Sequence, residues 1–397
     1  MVDPRSVAVV GAGVFGAAAA LELRRRGHEV TLLDPGPLPH PLAASTDVSK
    51  VLRMEYGVDE TYTTLMERAF DGWRAWAREW EARGLPGLYH ETGVLMVCRA
   101  PMTPGGFEHD SWQLVLRRGH RPERLDAAAL AHRFPAWSTG KYVDGFYHAV
   151  GGWAESGSVV EWLVRAGRET GVRLTEGARV TSLVEEGNRV VGARDEAGRV
   201  HRADHVVVAA GAWTGKLLGF GHEIRATGHP VLHFKPSDPS LFDTSRFPVF
   251  TADVARTGLY GFPVNRDGVV KVALHDEGMA LDPDAPRVVT ADQEARIRHL
   301  LTDTLPALAG AEVVHRRLCL YADTQDEDFW IARDPERDGL TVAGGGSGHG
   351  FKFAPVLGGI VADTVEGRDH PLAAKFRWRP ALRLDRGVEA ARFHGER

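Results

Sequence analysis

Three glycines and one acid near the start of the chain define a phosphate-binding chemistry. The run Val7-Ala8-Val9-Val10 leads into Gly11-x-Gly13-x-x-Gly16, and a helix-like segment from Ala17 to Arg26 follows. A second apolar run, Val30 to Leu33, closes on Asp34, 18 residues after Gly16. In such a strand–turn–helix–strand unit the first glycine permits the turn, the second lets backbone approach a pyrophosphate, and the third lets helix pack on strand. Val14 and Phe15 open the helix, whose free N–H groups and positive dipole end attract phosphate. Asp34 is placed to accept hydrogen bonds from a ribose diol. The unit specifies an adenine dinucleotide and leaves FAD and NAD both open.

Other residue types carry chemistry less locally. Lys271 lies on a predicted strand between Val270 and Val272, where a buried charge needs a partner. Cys98 and Cys319 are the only cysteines, too few for a disulfide framework or a four-ligand zinc site, and the 18 histidines show no HExxH spacing, so no metal is expected. The formal net charge of -5 gives no support for nucleic-acid binding, and no basic run marks a membrane surface. The first strand leaves no room for a signal peptide and no apolar run reaches ~18 residues, so a soluble, cytoplasmic protein is expected.

The elements that must hold these groups can be followed along 397 residues, 43% hydrophobic, ample for two domains. Four prolines between Pro35 and Pro41 make a loop, and small polar residues from Ala44 to Arg53 are expected along the cofactor. Asp59 caps a helix whose Tyr62, Leu65, Met66, Phe70, Trp73, Trp76 and Trp80 form one buried face. A strand is expected at 93–98 and a helix at 157–171. Further strands fall at 172–174, 179–184, 189–193 and 205–209. Segment 225–330 is strand-rich, with strands at 231–234, 249–252, 258–262 and 269–274 and one helix at 291–301. A last strand, 340–343, runs into Gly344-Gly345-Gly346-Ser347-Gly348-His349-Gly350 and a helix at 356–365. The reading is an α/β chain. A dinucleotide-binding domain (1–84, 150–218, 331–375) carries an inserted mixed or antiparallel substrate domain (85–149, 219–330). The tail, 376–397, is polar and basic and expected to be partly disordered.

Taken together, the motifs resemble the FAD-dependent amine oxidases of the glutathione-reductase-like fold, specifically the monomeric sarcosine oxidase and N-methyltryptophan oxidase family. The resemblance runs nearly the whole chain. It rests on the N-terminal motif, Arg53-Met54-Glu55-Tyr56-Gly57, Ala209-Ala210-Gly211-Ala212-Trp213, Tyr260-Gly261-Phe262-Pro263, Lys271 with His275, Cys319-Leu320-Tyr321, and Ser347 to Phe353. It implies a doubly wound FAD domain and a mixed-sheet substrate domain with the flavin between them. The cofactor contacts it implies are Gly11, Gly13, Val14, Phe15, Gly16, Asp34, Ser45, Thr46, Lys50, Val180, Ala210, Gly211, Trp213, Gly346, Gly348, His349, Gly350 and Lys352. It also implies a thioether from Cys319 to the flavin 8α-methyl. Lys271 would be the oxygen-activating cation, His275 would shape the amine pocket, and Tyr260 and Tyr321 would wall it. Arg53 and Lys352 would grip a substrate carboxylate.

The implied reaction passes a hydride equivalent from the carbon next to a secondary amine to flavin N5. The imine is then hydrolysed and O2 reoxidises the flavin to give H2O2. Small amines and O2 are the expected partners, and the protein is expected to be a monomer or weak homodimer. Two departures matter. Lys50 stands where sarcosine oxidases carry Arg, and Asp47-x-x-Lys50 is more similar to fructosyl amino acid oxidases. Thr251 replaces a bulky Met, implying a roomier or more polar pocket. The alternatives are a fructosyl amino acid oxidase, or a flavin dehydrogenase with another acceptor.

Overall fold

The computed structural model describes residues 3–138, 140–379 and 389–395. Its organising element is a six-stranded sheet in the order Trp330–Arg333, Leu340–Gly344, His205–Val208, Ser6–Val10, Glu29–Asp34, Arg173–Glu176. All neighbours run parallel except the antiparallel edge strand Trp330–Arg333. Alternation along Ser6–Val10 divides its side chains between two cores. Val7 and Val9 join the helices Val14–Arg25, Glu60–Ala82, Ser156–Thr170 and Ala354–Glu366 on one face. Ala8 and Val10 pack on the other face with Val190 and Ala193. That second face is covered by a three-stranded antiparallel sheet (Val180–Glu186, Arg189–Asp195, Val200–Arg202), where a doubly wound fold would have helices. Val190 and Ala193 of this sheet pack into the core beneath it, while most of its charged residues stay exposed.

A second, mixed sheet holds the strand-rich middle of the chain. Its order is Met279–Ala280, Ile224–Lys235, Val270–Leu274, Leu259–Val264, Val249–Ala252, Val94–Cys98, Asp144–His148, Glu123–Arg124. The long strand Glu312–Thr324 pairs antiparallel with Ile224–Lys235. One join is parallel, Val249–Ala252 with Val94–Cys98. Val270, Val272, Leu274, Leu232 and Phe234 turn inward to a core that includes Ile297 and Leu301 of the helix Ala291–Thr304. The intervening residues, Lys271, Ala273 and His275, are therefore forced to the opposite face. Cross-strand register adds His233 opposite Lys271, Tyr260 opposite Ala273, and Thr251 opposite Tyr260.

Predicted elements were found with shifted ends. The strand expected at 231–234 runs the length of Ile224–Lys235, and Glu312–Thr324, which carries Cys319, was not anticipated. The helix Glu60–Ala82 starts at Asp59, whose carboxylate accepts from Tyr62 N–H at 3.0 Å. Its aromatic stripe is buried except for Trp76, which is half-buried against Trp162. The expected disordered tail is corrected over its described part. Residues 389–395 dock on the second sheet, with Phe393 N–H donating to His275 C=O at 3.0 Å and Arg392 almost wholly buried. Residues 380–388 and 396–397 lie outside the described residues.

Candidate active site

The glycine turn is built as its spacing requires. Gly11 has φ +99°, and a Cβ there would sit 2.5 Å from Ala209 O. A Cβ on Gly16 would sit 1.8 Å from Gly11 O, so only glycine lets the helix close on the strand. The Asp34 carboxylate accepts from Ala12 N–H at 2.8 Å and Gly36 N–H at 2.9 Å. Ser45 Oγ accepts from Val14 N–H at 3.2 Å, covering the first turn of the helix. The second glycine run is equally constrained. Gly345 and Gly348 have positive φ, and a Cβ on Gly348 would lie 2.3 Å from the Tyr321 ring.

These turns border a cavity of about 410 Å³. Gly11, Gly13, Val14, Phe15, Asp34, Ser45, Lys50, Val180, Ala210, Gly211, Trp213, Gly346, Gly348, Gly350 and Tyr321 all line it. Gly16, Thr46, Cys319, His349 and Lys352 do not. Gly16 is spent on helix packing, Cys319 is buried among Tyr260, Tyr321, Val231 and Ala273, and His349 turns away to Tyr56 Oη at 3.0 Å and Glu327 O at 3.1 Å. A cradle that a Cβ would fill, and a long groove ending at a glycine-rich turn, fit an extended dinucleotide.

Beyond one end of the cavity lies the polar face of the second sheet. Lys271 is 2% exposed, and its Nζ donates to Asp47 Oδ2 and to Ser49 C=O, each at 2.6 Å. Burial pulls this ammonium down to about 8, while Asp47 pulls upward. Burial works against the Asp47 carboxylate as well. Lys271, His233 and Lys50 outweigh it and hold Asp47 well below the usual range. Cys319 is buried with Tyr260, Tyr321, Val231 and Ala273, its Sγ 3.9 Å from Ala44 O. Burial raises the phenol of Tyr321 well above its ordinary value and that of Tyr260 likewise, so both stay protonated. Tyr321 also stacks on His229, centroids 3.8 Å apart.

Arg53, Lys352 and His275 meet in a second polar cluster, joined by groups that sequence reasoning did not single out. Lys352 Nζ donates to Tyr56 Oη at 2.8 Å. Arg53 donates to Glu55 C=O, lies 3.4 Å from Glu389 Oε1, and stacks over Tyr56 and Phe107. His275 Nε2 is 2.6 Å from Glu389 Oε2. Burial and the neighbouring Arg53 charge drive Lys352 well below its ordinary value. Burial also lowers the His349 imidazole to about 4. Tyr56 and Glu55 sat inside the quoted Arg53-to-Gly57 motif, and Asp47 sat beside Lys50. Glu389 gave no local signal, because its role comes from a docked tail.

A dinucleotide cradle walled in part by Tyr321, whose strand also carries a buried thiol, suits a nucleotide-dependent redox protein. The chain belongs to the FAD dependent oxidoreductase family, which it matches over residues 6–364. It is 29% identical over 367 residues to an N-methyl-L-tryptophan oxidase of Salmonella dublin, covering 91% of this chain and 94% of the relative. It is 30% identical over 359 residues to the Salmonella arizonae protein of the same name, covering 89% and 93%. Among solved structures it is similar to the fructosyl amine: oxygen oxidoreductase (Amadoriase I) from Aspergillus fumigatus. That match has a TM-score of 0.82 at 29% identity, covering 99% of this chain and 94% of the other. Among the described residues no helix is long and apolar enough to cross a membrane.

Proposed function

We propose that the protein is an oxidase of secondary amines, with FAD attached through Cys319. One observation carries the reading: a buried ammonium, Lys271 Nζ, is held 2.6 Å from Asp47 on the sheet face it shares with Tyr260 and His275. Bound FAD would supply the electron acceptor for oxidation of the amine and, through O2, the route to H2O2. Lys271 offers fixed positive charge where negative charge develops on O2. The amine would react as its neutral base, and because a hydride path needs none, no side chain is assigned as general base. The buried sulfur of Cys319, next to cavity-lining Leu320 and Tyr321, suits a permanent tether. Residues 1–84, 150–218 and 331–375 would form the FAD-binding unit and 85–149 with 219–330 the substrate unit. Two free, buried thiols suit the cytoplasm.

A second reading, a fructosyl amine as substrate, is favoured by a specific feature. Thr251 is 3% exposed, shares a face with Tyr260, and its Oγ1 has no partner, which suits a polar substrate. A peroxide-coupled screen over N-alkyl, cyclic and fructosyl amino acids separates the two. Peroxide from at least one class is expected, and none from any class overturns the oxidase. Acid precipitation tests the tether: a yellow pellet supports it and a colourless one removes it.

A further inference from the structure

We propose that Glu389 is a specificity-determining residue, which fills the anion position beside Arg53 and selects amines whose far end donates hydrogen bonds over amines that carry a carboxylate there. The inference rests on the amine-oxidase reading. Its ground is geometric. Glu389 lies 2.6 Å from His275 Nε2 and 3.4 Å from Arg53 Nη2, and its side chain is 5% exposed. Arg53 also donates to Glu55 C=O, and Lys352 donates to Tyr56 Oη. A substrate carboxylate would have to share Arg53 with Glu389 and would face a like charge in a poorly solvated site, where repulsion is strong.

The carboxylate is held there by construction. Its own N–H donates to Glu327 Oε2 at 2.8 Å, and Arg392 N–H donates back to Glu389 C=O at 3.0 Å. Arg392 in turn pairs with Asp323 at 2.7 Å and Glu327 at 2.8 Å, and its Nε donates to Asp276 C=O. Glu389 faces His275, His349, Arg53 and Lys352. Burial opposes its charge, yet His349, His275 and Arg53 together hold it well below the usual carboxylate range. An ionised carboxylate there accepts from hydroxyl or ammonium groups of a ligand.

Sarcosine and N-methylethanolamine test this, because they share a secondary amine and differ in carboxylate against hydroxymethyl. Binding would be followed calorimetrically on the holoenzyme in the wild type and in Glu389→Gln. The wild type is expected to hold N-methylethanolamine at least tenfold more tightly, and Glu389→Gln to reverse that order. Tighter binding of sarcosine by the wild type, or an order unchanged in the variant, overturns the proposal. Acetate provides a control independent of amine chemistry. At least tenfold tighter acetate binding in Glu389→Gln supports the assignment of the anion position, and equal binding overturns it. Flavin that no amine reduces would count against the oxidase reading and leave the acetate result standing on its own.

Discussion

Lys271 carries a charge on a strand whose neighbours are core valines, and it is there because Asp47 and the Ser49 carbonyl meet it. Replacing Lys271 by Met is expected to slow reoxidation by O2 at least ~100-fold while flavin reduction by amine changes little. Stopped-flow measurement of the two half-reactions checks this, and equal slowing of both would point to an acceptor other than O2. The ammonium is lost as pH rises through about 8, so oxygen reactivity should fall across that range. Asp47 supports the charged form, so Asp47→Asn should move that fall to lower pH. An unshifted profile would remove Asp47 from the account. At this scale much was readable in the chain. Lys271, His275, Cys319 and the two tyrosines stand in short motifs with fixed spacing. Asp47 as ion-pair partner was not readable, because it lies 224 positions from Lys271 and only folding brings the two together.

At the scale of elements, the glycine turn is the least tolerant piece. Gly16→Ala puts a methyl into Gly11 O, a backbone atom that cannot step aside. We expect the soluble variant to incorporate at least ~10-fold less FAD, read from its flavin-to-protein absorbance ratio. The helix Phe107–Arg117 offers a pH test. Burial lifts Glu108, near its start, to about 7 from an ordinary 4.5. The folded chain therefore holds that proton more tightly than the unfolded one, and the associated stability is lost as pH rises through about 7. Glu108→Gln should raise the unfolding midpoint at pH 8 and change it little at pH 4; a rise of equal size at both would refute the assignment. Element type was readable where a short apolar, β-branched run or a clear helical period stood out, as in Ser6–Val10 and Glu60–Ala82. The covering of the parallel sheet by strands was not, since short alternating runs do not say which partner they cover.

Across the whole molecule, the C-terminal segment links the second sheet to the amine end of the site. Arg392 is buried against Asp323 and Glu327, two carboxylates that have no solvent to fall back on. Arg392→Ala should cost about 3–5 kcal/mol, because it leaves buried charges unpaired. The loss is read as a lower thermal unfolding midpoint, and an unchanged midpoint would show that the tail docks without bearing on stability. A polar, basic composition is what made this segment read as disordered. Arg379 and Arg392 are paired here by acids far away in sequence, which composition alone does not reveal. The two-sheet architecture brings the cradle, with Tyr321 in its wall, next to the sheet that carries Cys319 and Lys271, and the proposed chemistry depends on that convergence. Its most direct test is anaerobic mixing of the purified yellow protein with secondary amines, followed by oxygen. Bleaching of the flavin by at least one N-alkyl, cyclic or fructosyl amino compound, then recovery of colour with one H2O2 per flavin, is the expected result. Flavin that stays oxidised with every such amine would contradict the account.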